Sequence, residues 1–126
     1  MGGQPAESQQ LLQIWYNLDM GWTVTFLTEE VKAAVDALPR DMRAGFERIV
    51  ALIRSHGLER VREPYVKHLD GPLWEMRMCG KSGIARAVYV TAVGKRVVVV
   101  HVFEKKTQKT PRNEIETALK RAKEVE

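Results

Sequence analysis

The sequence predicts an α+β domain: a small, antiparallel-rich sheet of about four strands, with an N-terminal helical hairpin and a C-terminal helix. Three observations predict it. Apolar residues recur at helical spacing at Phe46, Ile49, Val50 and Ile53, and again at Ile115, Ala118, Leu119 and Ala122. Between these stretches lie three runs suited to strands, separated by glycine turns. A length of 126 residues with a 44% apolar fraction supports one core and one domain.

Residues 1–19 read as an N-terminal extension, either flexible or a short helix, and residues 20–126 as the domain. Leu11, Leu12, Ile14, Trp15 and Leu18 could form one apolar helix face, and Met20 offers an alternative start. Residues 22–27 (Trp-Thr-Val-Thr-Phe-Leu) form a first strand, rich in β-branched and aromatic side chains. Thr28 is an N-cap, and Glu29 and Glu30 suit the positive end of a helix dipole. That helix runs to about Leu38 and stops at Pro39. A second helix starts there and ends on Gly57 as C-cap. The short link makes the two helices antiparallel neighbours.

Residues 58–71 read as a polar connection. From Leu73 to Met78 the chain alternates, with Trp74, Met76 and Met78 on one face and Leu73, Glu75 and Arg77 on the other. Residues 79–83 (Cys-Gly-Lys-Ser-Gly) are a hairpin turn, and residues 84–91 the return strand. A second turn at residues 93–95 leads into a third strand over residues 96–105. Its four valines, 97 to 100, imply a central strand covered on both faces. Thr110 caps the last helix, with Pro111 at its first position.

Charge is unevenly distributed. Residues 1–76 carry eight Lys or Arg against eleven Asp or Glu, net −3. Residues 77–126 carry twelve against five, net +7, which together give the +4 of the whole chain. A basic second half points to a polyanionic partner. One cysteine, Cys79, excludes an internal disulfide and a Cys-based metal set, which fits a reducing cytosol. No apolar run reaches the ~18 residues of a membrane span, and no signal peptide is read at the start. The expected location is cytoplasmic, with no membrane association.

The cations have a pattern. Arg77 and Arg86 lie on the two strands flanking the glycine hairpin. Lys105 and Lys106 end the next strand, pointing to opposite faces. His101, Phe103 and Lys105 share a face, which favours Lys105 as the partner of the two arginines. Tyr89 falls on the face opposite Arg86. Lys81, Lys106, Lys109 and Arg112 extend the basic surface and are candidate RNA- or phosphate-binding groups. Clustered cations neutralise a phosphorane without a metal. Histidines 56, 68 and 101 match no zinc spacing, no carboxylate cluster suits Mg²⁺, and no nucleotide-binding glycine motif occurs. Neither a metal nor a cofactor is expected. His101 is most simply a packed core residue, and also a candidate proton-transfer group.

Several segments resemble one family. Residues 73–77 (Leu-Trp-Glu-Met-Arg), residues 84–86 (Ile-Ala-Arg), residues 101–111 (His-Val-Phe-Glu-Lys-Lys-Thr-Gln-Lys-Thr-Pro) and the helix carrying Glu114, Ile115, Glu116 and Ala118 resemble the RelE/HigB superfamily of type II toxin–antitoxin systems, closest to its phage-derived HigB-like branch. The resemblance covers residues 22–124. It implies a RelE-like fold and a toxin that cuts mRNA in the ribosomal A site without a metal. It also implies a cognate antitoxin, often with a helix-turn-helix domain, through which alone operator DNA is bound. By the same resemblance Arg77 is a strand cation near the scissile phosphate, Arg86 a phosphate and transition-state arginine, and Lys105 the cation ending the last strand. Many members carry a Tyr or His near the C-terminus for proton transfer. This chain ends Ala122-Lys123-Glu124-Val125-Glu126, so that role stays open among His101, a lysine, and alignment with charge alone. Two alternatives stand beside the nuclease: a ParE-like gyrase poison of the same fold, and a non-catalytic nucleic-acid or protein-binding module.

Overall fold

The computed structural model describes residues 20–107 and 109–126. The apolar stripe expected between Leu11 and Leu18, and Gln108 of the quoted motif, lie outside the described residues. In chain order the elements are β1 (Thr23–Phe26), α1 (Glu29–Asp36), α2 (Arg40–His56), a 3-10 turn (Leu58–Arg60), β2 (Val66–Asp70), β3 (Leu73–Gly80), β4 (Gly83–Ala92), β5 (Arg96–Lys105) and α3 (Arg112–Ala122). They form an α+β fold with a five-stranded mixed sheet, order β1-β5-β4-β3-β2. β1 runs parallel to β5; the other three pairings are antiparallel.

The fifth strand is β2, in the stretch read from sequence as a polar connection. An edge strand has one neighbour and needs little apolar surface. Val66 alone in β2 is fully buried, and a register shift between His68 and Asp70 breaks the alternation that would have marked a strand. The helix pair also differs from expectation. α1 lies against β1 and β5, α2 against β3 and β4, so the sheet is the main support of each. Thr28 caps α1 as its sequence suggests, its hydroxyl accepting from the Val31 N–H at 3.2 Å. Gly57 ends α2 at φ +90°, its N–H donating to Ile53 O at 2.8 Å. That backbone region favours a residue without a β-carbon.

Both faces of the sheet are covered. On one, Val31, Val35, Met42, Phe46, Ile49 and Ile53 of the helix pair pack on Met76, Met78, Ala85, Ala87, Val97, Val99 and Val102. On the other, Ala118 with Ile115, Leu119 and Ala122 of α3 packs on Leu73, Val88, Val90, Val98 and Val100. The valine run thus splits between two cores, as a central strand requires. Tyr89 belongs to the helix-pair face, opposite Arg86.

β5 carries a bulge. Val88 opposes His101, but Tyr89 opposes Val99, leaving Val100 as an extra residue. Val100 and His101 both turn toward α3. The alternation is inverted beyond that point: Val97 and Val99 face the helix pair before the bulge, Val102 after it. His101, Phe103 and Lys105 therefore share the α3 face with Arg86.

The β3–β4 turn is tied to α2. Gly80 opposes Gly83 across Lys81 and Ser82. Asp41, at the start of α2, accepts from the Ser82 N–H at 3.0 Å and from the Met42 N–H at 2.9 Å. A β-carbon at Gly80 would collide with that carboxylate. The Ser82 amide holds the Asp41 carboxyl below its ordinary value of 3.8. A carboxyl acidified by folding stabilises above its unfolded pKa, and the benefit vanishes as pH falls through the folded one. The stability lost on Asp41→Ala is therefore expected to shrink between about pH 5 and about pH 2, with faster Ser82 amide exchange in the variant at neutral pH. Unchanged exchange would show that the clamp does not hold the turn.

Candidate active site

Three neighbouring strands place their cations on the α3 face. Arg77 of β3 and Arg86 of β4 are register partners, and Arg86 opposes Phe103 of β5. One row toward the hairpin, Cys79, Ile84 and Lys105 stand in line; one row the other way, Glu75, Val88 and His101. Glu75 is the hub. Its Oε1 lies 3.5 Å from Arg86 Nε and 4.0 Å from Arg77 Nε. Its Oε2 accepts from the Thr110 hydroxyl at 2.9 Å, and Thr110 accepts from Lys105 Nζ at 3.3 Å. Two guanidinium groups thus flank one carboxylate and an ammonium reaches it through Thr110, leaving an excess of two positive charges.

This cluster is largely out of water. Arg86 is 0% exposed, Glu75 4% and Lys105 8%, while Arg77 keeps a fifth of its side chain exposed. Burial pushes the Arg86 pKa below its ordinary value, and the Glu75 charge pulls it back up; a guanidinium nonetheless stays protonated. Lys105 is pushed below 10.5 by burial and then by the Arg86 charge. Arg86 Nη1 donates to the Ala85 carbonyl at 3.0 Å, but its Nε and Nη2 find no well-formed oxygen acceptor among the described residues, the Cys79 thiol being the weak acceptor beside the guanidinium. Buried donors without acceptors are rare.

The predicted residues divide by position. Arg77, Arg86 and Lys105 come together. His101 sits on the same face, with both ring nitrogens engaged by α3. Arg121 Nη1 approaches Nδ1 at 3.1 Å, and Glu114 Oε1 approaches Nε2 at 3.2 Å. Arginine can only donate, so Nδ1 accepts and Nε2 carries the hydrogen bonded to Glu114. The geometry gives His101 the job of docking α3. Lys81, Lys106 and Lys109 are exposed at the rim. Arg112 is exposed but turned into ion pairs with Asp70 at 2.9 Å and Glu116 at 3.6 Å.

Thr110 departs from its expected role. α3 begins at Arg112 with Pro111 in the cap position and no side-chain cap. Its hydroxyl instead accepts from Lys105 Nζ and donates to the buried Glu75 carboxylate, both charge-assisted bonds. Glu75, Thr110 and Arg121 are the residues that sequence reasoning left out of the site. Only Glu75 had a legible signal: it alternates with Arg77 on β3, so it had to share a face with the arginine paired to Arg77.

On the opposite face, a cavity of about 810 Å³ lies among Trp22, Val66, His68, Trp74 and Tyr89. Among the described residues no group of His, Cys, Asp and Glu could hold a metal, and no helix is long and apolar enough to cross a membrane.

Fold and cluster define a small α+β domain with a cation-rich sheet face beneath its last helix. The chain belongs to the phage-derived Gp49-like protein family (DUF891), whose model matches residues 33–123. Among solved structures, a chain of the archaeal RelE–RelB complex from Pyrococcus horikoshii OT3 is similar at 20% identity and a TM-score of 0.49, over 68% of this chain and 96% of that one. A search of curated proteins found no match.

Lys105 makes the cost of the buried cations measurable. Unfolded, it keeps its proton up to the ordinary value of 10.5; folded, it releases it earlier. Between those points the unfolded chain binds more protons, so stability rises with pH. Denaturant unfolding of the protein and of Lys105→Met should show wild type gaining on the variant as pH approaches 10.5 from below. A constant difference across that window would show that Lys105 is not held against its charge.

Proposed function

We propose that this protein is the toxin of a type II toxin–antitoxin pair, and that it cleaves mRNA on the ribosome without a metal. The observation that carries this reading is the convergence of Arg77, Arg86 and Lys105, from three adjacent strands, on one patch. Family membership and the resemblance of residues 73–77, 84–86 and 101–111 to RelE/HigB toxins support it. The HigB-like branch, the ribosome as site of action, a helix-turn-helix antitoxin and a cytoplasmic location belong to the same proposal.

In the proposed reaction the 2′-oxygen attacks the adjacent phosphorus, the bond to the 5′-oxygen breaks, and a proton passes from the first oxygen to the second. Arg77 and Arg86 neutralise the phosphorane. Lys105, whose burial favours its neutral form, takes the proton-transfer role in place of His101, both of whose ring nitrogens are engaged. Lys81, Lys106 and Lys109 hold flanking phosphates. A second reading, a non-catalytic RNA-binding module, is favoured by one observation: Arg86 is fully buried, so Arg77 and the rim lysines carry most of the accessible charge.

Transcript 5′ ends mapped after brief induction without antitoxin separate the readings. Cuts in register with codons are expected, and Arg77→Ala and Arg86→Ala should each slow them by about 100-fold or more. Salt-dependent RNA binding with intact transcripts would leave the binding module. If both variants arrest growth as well as the parent, the site assignment fails.

A further inference from the structure

We propose that Glu75 is a resident anion standing where a substrate phosphate binds, so that RNA must displace a carboxylate of the protein itself. Its identity as a competitor of RNA in particular rests on the nuclease reading above. The geometry is that of an imperfect substitute. One carboxylate oxygen is shared between two guanidinium groups, at 3.5 Å and 4.0 Å, both beyond good hydrogen-bond length. The other oxygen is spent on Thr110. Arg86 Nε and Nη2 are left without a well-formed oxygen acceptor among the described residues, with the weak Cys79 thiol beside the guanidinium. A guanidinium fork matches a group presenting two acceptor oxygens side by side. A phosphodiester offers two non-bridging oxygens and is not tethered to Thr110.

The charge arithmetic points the same way. With Glu75 in place the cluster carries an excess of two positive charges, which draws an anion in. Once Glu75 is displaced, all three cations face the newcomer. Glu75 is a positioning residue in this scheme. It holds Arg77 and Arg86 in a phosphate-ready arrangement while the site is empty, at the cost of weakening phosphate binding.

The test pairs Glu75→Gln with Glu75→Asp. Glutamine keeps the shape and can still accept from Thr110, but lacks the charge; aspartate keeps the charge and withdraws it by one methylene. Thermal unfolding of the full chain is followed against inorganic phosphate at constant ionic strength. Glu75→Gln is expected to bind phosphate about tenfold more tightly than wild type, with Glu75→Asp between them. A Glu75→Gln protein that folds only with phosphate present supports the proposal equally. If that variant folds under no condition, Glu75→Asp decides alone: tighter phosphate binding than wild type supports the proposal, and equal or weaker binding overturns it. Equal or weaker binding by a folded Glu75→Gln also overturns it.

A second arm measures cleavage on translating ribosomes. Glu75→Gln should lower KM with a smaller change in kcat, whereas general loosening of the site would lower kcat without lowering KM. Tighter phosphate binding with no cleavage by wild type would keep Glu75 as resident anion and remove the nuclease reading. Cleavage by wild type with phosphate binding unchanged in both variants would do the reverse.

Discussion

One extra residue in β5 decides on which face of the sheet its cations lie. Val100 has no partner across the sheet, and its insertion inverts the alternation of everything beyond it. Without it, Lys105 would follow Val97 and Val99 onto the helix-pair face, away from Glu75 and Thr110. With it, His101, Phe103 and Lys105 join Arg86. The bulge also gives α3 its seat, because Arg121 donates both to the Val100 carbonyl at 3.0 Å and to His101. Basic patch and covering helix follow from the same local departure from regular pairing.

Concentrating cations under a helix carries an energetic problem. A guanidinium fully withdrawn from water costs several kcal/mol unless well paired, and Arg86 is fully withdrawn. Glu75 is the local answer, assisted by Thr110. Yet the compensation is incomplete. The contacts are long, two Arg86 donors lack a well-formed oxygen acceptor among the described residues, and the cluster keeps an excess of two positive charges. A site evolved for stability alone would carry apolar side chains of similar volume here, often at no loss. An excess of charge kept at such cost is the pattern expected where a substrate supplies the missing partner.

The elements with strong local signals could be read before the structure. Residues 96–105 as a central strand, Thr28 and Gly57 as caps, and the hairpin across Lys81 and Ser82 each rest on chemistry confined to a few neighbouring residues. What escaped depends on distant partners. β2 has one buried valine and no clean alternation, so its strand character exists only because β3 lies beside it. Thr110 has the residue type of a helix cap, but its hydroxyl is engaged by Lys105 and by the Glu75 carboxylate, which is 35 residues away in sequence. His101 reads from sequence as a candidate proton carrier, while the contacts of its ring with Glu114 and Arg121, thirteen and twenty residues further on, are not legible there. The grouping of Arg77, Arg86 and Lys105 was reachable by counting strand faces. Their burial was not, since a count of faces says nothing of what lies on top.

That burial ties the cation cluster to α3. Thr110 immediately precedes Pro111, the helix cap, and Glu114 and Arg121 lie on the helix itself. The elements that seat α3 are therefore the ones that engage Glu75, Lys105 and His101. Ala118 is the only residue of α3 that is fully buried, with Ile115, Leu119 and Ala122 partly buried around it, so polar contacts to β5 add to its apolar docking. A partner that altered the seating of this helix would act on Glu75, Lys105 and His101 together, and through Glu75 on the proposed phosphate position. Coupling of that kind needs no transmission through the core. It follows from one strap of chain serving both as the lead into a helix and as a ligand of the site's carboxylate.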